Sequence, residues 1–268
     1  MPLEGPEVLL YEKKDHIVTI TINRPERMNA LTLELYDRLD EAWEQFKQDD
    51  DAFVAIWTAA GERAFCVGMD LKEQAERVAK DPSFDIVKLK PGVLDGTVGT
   101  PYGHNVTKPV IAAINGVATA AGFQFTMMCD LRVAAEHARF GVGEVKVGRG
   151  TPWAVPVLWQ MPLPVAFEVL LTGELIPTQR LYDVGWINRV VPLEQLMPTA
   201  MKLATVLAEN APLSVRAAKE ALYKAMDVGR RAGLDEAKLI YEKVYASEDA
   251  VEGPRAFAEK RKPVWKGR

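Results

Sequence analysis

The sequence holds little of what many familiar enzyme sites require. It has two cysteines, Cys66 and Cys129, and three histidines, His16, His104 and His137, in 268 residues. Two cysteines so far apart give neither a metal-like spacing nor a disulfide framework, which fits a reducing compartment. No G-x-S-x-G, H-E-x-x-H or P-loop pattern occurs, so the common nucleophile, zinc and phosphate motifs are missing. No run approaches the roughly 18 apolar residues needed to cross a bilayer. The stretch Met1–Leu10 carries two glutamates and no basic segment, unlike a signal peptide. A formal charge of −4 argues against wholesale binding to nucleic acid or an anionic membrane, although Lys260, Arg261, Lys262, Lys266 and Arg268 form a local basic patch. The expectation is a soluble, cytoplasmic protein with no nucleic-acid or membrane partner and no metal site.

What is present is an apolar fraction of 48%, enough to bury a sizeable core. Val18, Ile20 and Ile22 alternate with Ile17, Thr19 and Thr21, which is strand periodicity. Arg24-Pro25-Glu26-Arg27 breaks the strand, and Thr32 caps a helix bearing Leu35, Leu39, Ala42 and Phe46 on one face. Phe53–Thr58, Val110–Asn115 and Leu131–Ala135 read as further strands. Strands alternating with helices predict a mostly parallel α/β core over residues 1–195. From residue 196 the pattern turns helical, with Leu196–Ala208, Leu213–Met226 and Leu234–Ser247 punctuated by Pro212 and Gly233, so residues 196–268 are expected to form a helical subdomain. Residues 74–107 begin as a charged helix and end in the Gly/Pro-rich loop Pro91–Gly103.

His16 opens a strand and His137 sits in a polar stretch. His104, in the irregular loop, is the histidine best placed to line a substrate pocket. Two segments carry more weight, Ala64–Glu73 and Ala113–Gly122. In each, small residues follow a strand where a loop enters a helix. Such a junction exposes free backbone N–H groups in the positive field of the helix end. Two donors from separate loops can converge on one anionic oxygen. The alternative for either segment alone is that small residues merely allow tight strand–helix packing.

The order of motifs narrows this choice. Asn23–Leu31 reads NRPERMNAL, Phe65–Glu73 FCVGMDLKE and Lys108–Ala118 KPVIAAINGVA. CDLR (Cys129–Arg132), RFGVGE (Arg139–Glu144), LLTG (Leu170–Gly173), GWINRVVP (Gly185–Pro192) and FAEKRKPVW (Phe257–Trp265) follow. In this order they resemble the enoyl-CoA hydratase/isomerase (crotonase) family along almost the whole chain. The resemblance implies a crotonase-like fold of repeated β-β-α units with a C-terminal helical trimerisation subdomain. It implies trimers, often paired into hexamers, and an acyl-CoA substrate with no cofactor beyond the coenzyme A that the substrate carries. By motif position the oxyanion hole falls on the backbone N–H groups of Met69 and Ala121, which would hold the thioester oxygen. Loss of one such donor in other enzymes costs about 3 kcal/mol of transition-state stabilisation.

Hydratases of the family use two glutamates. The second matches Glu144, whereas the first falls on Gln124, which can orient water but cannot exchange a proton near neutral pH. Where the family carries a glycine-rich turn, this chain has Trp153, which either reshapes the acyl pocket or packs in the core or at an interface. Coenzyme A contacts are implied for Arg27, Asn29 and Ala30, for Asp70 and Leu71 near the adenine, and for Phe257 and Lys260 from a neighbouring subunit. The leading expectation is an enoyl-CoA hydratase with one catalytic glutamate, acting on an acyl group that includes cyclic or aromatic ones. A double-bond isomerase and a hydratase-lyase are alternatives within the family. A non-catalytic binding protein on the same fold is the alternative outside it.

Overall fold

The computed structural model describes residues 7–268. Met1–Pro6, on which part of the leader expectation rests, lie outside them. Strands β1 (Leu9–Lys14) and β2 (Ile17–Ile22) form an antiparallel hairpin. Helix α1 (Leu33–Gln48) begins at the expected cap, where Thr32 Oγ1 accepts from Leu35 N at 3.2 Å. Strands β3 (Val54–Ala59) and β4 (Ala64–Cys66) follow. The segment after them holds α2 (Leu71–Lys80) and two single turns, α3 (Ile86–Leu89) and α4 (Gly92–Asp95). Next come β5 (Val110–Ile114), β6 (Val117–Thr119), α5 (Ala121–Met127), β7 (Leu131–Ala135) and β8 (Arg139–Gly141). After 3-10 turns at Gly143–Val147 and Pro152–Trp159 come α6 (Leu163–Thr172), β9 (Ile176–Pro177), α7 (Thr178–Asp183) and β10 (Arg189–Val191). Four helices close the chain: α8 (Leu196–Ala208), α9 (Pro212–Val228), α10 (Arg230–Tyr245) and α11 (Glu248–Ala258). No helix among the described residues is long and apolar enough to cross a membrane.

The strands form two sheets. The larger runs β1-β2-β3-β5-β7-β10, parallel from β2 onward, and the smaller runs β4-β6-β8-β9 with β9 antiparallel. Alternation along the larger sheet explains its burial on both faces. Ile20, Trp57 and Ala112 point into the main core with Trp43 and Phe46 of α1. Ile17, Val54, Ile56, Ile111 and Val133 point the other way, onto Leu196, Ala200 and Ala204 of α8. The first helix after residue 195 is therefore a layer on the sheet, and α9 and α10 pair with each other beyond it. Helix α9 is tied to the core through Lys219, whose Nζ donates to Asp130 Oδ2 at 2.8 Å and to Lys108 O at 2.9 Å.

Two expectations about the helical end need correction. Gly233 does not break a helix; it lies inside α10, where a methyl group on it would come within 2.7 Å of Ala225 Cβ in α9. The break is at Gly229, whose φ of +78° suits glycine. There are also four helices, not three. Ser247 is the cap of α11, accepting from Ala250 N at 3.1 Å, and Pro254 is accommodated within that helix. The tail then folds back: Lys266 N and Gly267 N donate to Asp249, and Trp265 Nε1 donates to Glu209 O.

The corner between α5 and β7 is held by a buried arginine. Arg132 donates to Trp186 O at 2.7 Å, Cys129 O at 2.7 Å and Thr126 O at 3.0 Å, and its guanidinium lies 4.7 Å from the Trp186 ring centroid. Arg132→Met is expected to lower stability by about 3 kcal/mol or more, because buried carbonyls left without donors cost about 1–3 kcal/mol each. Urea unfolding checks this, and a loss well under 1 kcal/mol would show that the carbonyls find other partners.

Candidate active site

Three neighbouring parallel strands of the smaller sheet, β4, β6 and β8, end at one edge of that sheet. Beyond each end, within two or three residues, comes one of the residues singled out above. Met69 follows Cys66, Ala121 follows Thr119, and Glu144 follows Gly141. Crevices outside the carboxyl ends of parallel strands are the usual place for ligands in open α/β sheets.

Met69 is held by a short bridge. Leu31 N donates to Gly68 O and Asp70 N donates to Leu31 O, both at 2.8 Å. That pattern uses the groups on either side of Met69 and leaves its own N–H without a bond to any described residue. Ala121 is the first residue of α5, so its N–H has no partner in the helix and finds none elsewhere among the described residues. Ala120, before it, adopts φ +55° and donates to Gly141 O at 3.1 Å, which ties the start of α5 to the end of β8.

The two amides are close because two main chains touch. A methyl group placed on Gly68 would sit 2.7 Å from Ala120 Cβ and 3.5 Å from Ala121 N. One placed on Gly122 would sit 1.9 Å from Cys66 O. Only glycine allows that approach at position 122, so the small residues do more here than relieve crowding.

Glu144 lies in the 3-10 turn Gly143–Val147. Its Oε2 is buried and has no hydrogen-bond partner. Burial pushes its carboxyl above the ordinary glutamate range, and its own backbone amide opposes this only partly. Gln124, on α5, is 4% exposed, and its side-chain amide makes no hydrogen bond to the described residues. A methyl group on Gly96 would meet Gln124 Nε2 at 2.4 Å, Met128 Cε at 3.2 Å and Trp153 Cβ at 3.3 Å. The loop after α4 thus closes over Gln124 and buried Trp153. Gly96 was not singled out from the sequence, where it was one glycine in an irregular loop.

Other expected residues are placed differently. Both ring nitrogens of His104 face carboxylates of α1, Nε2 at 2.9 Å from Asp40 Oδ1 and Nδ1 at 3.3 Å from Glu44 Oε2. His104 therefore tethers its loop to α1 rather than joining Gln124 and Trp153. Asn29 is buried, and its side chain is occupied internally, accepting from Arg24 N and donating to Ala60 O and Ala64 O. The N–H of Ala30 donates to Arg27 O, and its carbonyl accepts from Arg24. These two residues shape the turn and have little polar capacity left for a ligand.

Asp70 is likewise structural: Oδ1 caps α2 through Lys72 N and Glu73 N, and Oδ2 lies 3.2 Å from Arg24 Nη2 and 3.6 Å from Arg27 Nη2. Burial works to raise its pKa, but the Glu73 amide and the two arginines together hold the carboxyl below its usual range. Leu71 and Phe257 are open to solvent, at 73% and 87% exposure, and Lys260, three residues after Phe257, is exposed as well. Arg27 is partly exposed.

The Glu144 shift carries a stability consequence. A carboxyl whose folded pKa is raised favours folding in its protonated form, so stability falls as pH rises from the unfolded toward and past the folded pKa. Glu144→Gln is therefore expected to unfold at a higher temperature than the parent at about pH 8, by about 2–4 °C per kcal/mol recovered. The gap is expected to close as pH falls toward the ordinary glutamate value of about 4.3. Thermal melts across pH test this, and a midpoint at pH 8 equal to or below the parent's contradicts it.

The relatives agree with this architecture. A profile of the enoyl-CoA hydratase/isomerase family matches residues 12–268. An (E)-benzylidenesuccinyl-CoA hydratase from Thauera aromatica is 36% identical over 260 residues, covering 96% of this chain and 98% of that protein. A carnitinyl-CoA dehydratase from Citrobacter koseri is 38% identical over 271 residues, covering 98% and 99%. The crystal structure of an enoyl-CoA hydratase from Bacillus anthracis superposes with a TM-score of 0.89 at 32% identity, covering 98% of this chain and 100% of that one. With matches of this extent in sequence and in fold, the chain belongs to the enoyl-CoA hydratase/isomerase family.

Proposed function

We propose that this protein adds water reversibly across the α,β double bond of an acyl-CoA thioester, with Glu144 as its one proton-carrying carboxylate. The observation that carries the reading is the meeting of two unpaired main-chain amides, Met69 and Ala121, at the same sheet edge as a buried carboxylate oxygen with no partner. In the hydration direction, Glu144 takes a proton from water as the water oxygen bonds to the β-carbon. The electron pair of the double bond moves toward the thioester, and charge collects on its oxygen between the two amides. Protonated Glu144 then returns a proton to the α-carbon, which restores the thioester. Its raised pKa suits a group that must hold a proton for part of the cycle. Gln124 orients the water through its unpaired amide.

The names of the Thauera and Citrobacter relatives support hydration and dehydration of acyl-CoAs as the reaction class. A carboxylate working alone also suits a second reading, double-bond isomerisation, in which Glu144 moves one proton between carbons and no water is consumed. Buried Trp153 beside Gln124 supports an acyl pocket reshaped relative to a glycine-lined one, including for a cyclic or aromatic group.

For the coenzyme A moiety, partly exposed Arg27 faces the phosphates, with Leu71 beside the adenine and Phe257 and Lys260 supplied by a neighbouring copy. No cofactor beyond that moiety takes part. Exposed Leu222, Met226, Leu234, Leu239 and Tyr245 support an interface made by residues 196–268, and the assembly is a trimer or a pair of trimers. Two buried free cysteines support a cytoplasmic setting.

The test is a panel of linear, cyclic and aromatic enoyl-CoAs assayed in heavy-oxygen water with mass spectrometry of the products. Incorporation of label supports hydration, rearrangement without label supports the isomerase reading, and chain shortening means a lyase. Turnover of no member sinks the catalytic reading. Glu144→Gln is expected to lower kcat by about 10²-fold or more, the range lost with a general acid-base group. The acid limb of kcat/KM is expected above the ordinary glutamate value of about 4.3, because activity needs the carboxylate and falls as pH drops through its raised pKa. A limb at or below that value contradicts the role given to Glu144.

A further inference from the structure

Arg24 lies in the turn after β2, and its side chain is largely buried, with 14% exposure. One nitrogen of its guanidinium, Nη1, donates to Ala30 O, and the other, Nη2, donates to Asp70 Oδ2 at 3.2 Å. Ala30 immediately precedes Leu31, and Asp70 immediately follows Met69. Leu31 in turn bonds to both neighbours of Met69, accepting from Asp70 N and donating to Gly68 O. The guanidinium thus closes a ring whose other side is the two hydrogen bonds that face the Met69 amide outward. Its backbone N–H also donates to Asn29 Oδ1 at 2.9 Å, which fixes the turn from which the side chain reaches.

We propose that Arg24 is a positioning residue for the oxyanion hole, locking Leu31 to the 68–70 loop so that the Met69 N–H stays aimed at the thioester oxygen. This rests on the reading of Met69 given above. A planar fork with donors in fixed directions suits two acceptors on different segments; a lysine supplies a point charge that reaches one at a time. The fold has a reserve for its loss. Asp70 keeps its two capping amides and has Arg27 at 3.6 Å, so removing Arg24 does not strand a buried carboxylate. The effect therefore falls on aim more than on folding.

The test uses the best substrate of the enoyl-CoA panel, labelled with carbon-13 at the thioester carbonyl and bound to full-length Glu144→Gln protein so that turnover is slow. Isotope-edited infrared difference spectra report the carbonyl stretch, which two converging donors shift to lower frequency. In Glu144→Gln the downshift is expected in full. In the Arg24→Met/Glu144→Gln double variant it is expected to fall to about half or less, with Kd within about threefold. Arg24→Met alone is expected to lose about 10- to 100-fold in kcat, short of the 10²–10³ lost when a donor is removed outright. Arg24→Lys is expected between it and the parent. Should Arg24→Met not fold, Arg24→Gln takes its place in the same comparison. An undiminished downshift in the double variant overturns the role of Arg24 while leaving the oxyanion hole standing. No downshift in Glu144→Gln itself overturns the oxyanion hole, and this inference with it.

Discussion

Leu31 donates to one neighbour of Met69 and accepts from the other, and the residue between them is left with a free amide. That small bridge organises much of what surrounds it. It gives the 68–70 loop a fixed path, sets Asp70 at the start of α2 and holds the turn of Asn23–Leu31 against the core. Backbone donors are obligatory hydrogen-bonding groups, and leaving one unpaired in a sheltered place is unfavourable unless something arrives to fill it. Here two are left unpaired, on the same sheet edge as a carboxylate oxygen that also has no partner. The folded chain retains three unmet polar demands on one sheet edge, which is hard to account for as packing alone.

Four strands of the larger sheet were legible, β2 by its alternation and β3, β5 and β7 as apolar runs, whereas β1 and the three-residue β10 were not. The smaller sheet was not legible, although it carries the candidate site. β4, β6 and β8 have three residues each, too few for periodicity, and their order is set by parallel pairing between distant segments. Helix α11 was missed for a related reason. Gly253 and Pro254 look like punctuation, but Ser247 caps the helix from outside and the tail braces it through Asp249 and Glu252. Gly233 misled in the opposite direction, since the close approach of α9 that requires it is a tertiary fact.

Motif order alone singles out Met69, Ala121, Gln124 and Glu144 as candidates. What motif order did not contain was the state of each group. That Glu144 Oε2 lacks a partner, or that Gly96 closes over Gln124, depends on loops whose conformation local sequence leaves open. His104 and Asn29 show the limit most clearly. Both are polar residues in loops, the kind that often meets ligands, yet carboxylates of α1 and main-chain groups of the core occupy them. A glutamate oxygen buried without a partner is a burden on the folded state. The buried polar groups around Arg132 and Asp130, by contrast, are well partnered.

The contact of Gly122 with Cys66 O has a consequence for which substitutions this scaffold tolerates. It fixes the separation of the two free amides by the thickness of main chain against main chain, a dimension that most point mutations leave untouched. The side chains of Met69, Gln124 and Trp153 do not set that separation, although the Gly96 loop packs against the last two. A substitution at Gly122 therefore disturbs both amides at once, while one at Met69 or Gln124 alters their surroundings and leaves the spacing in place.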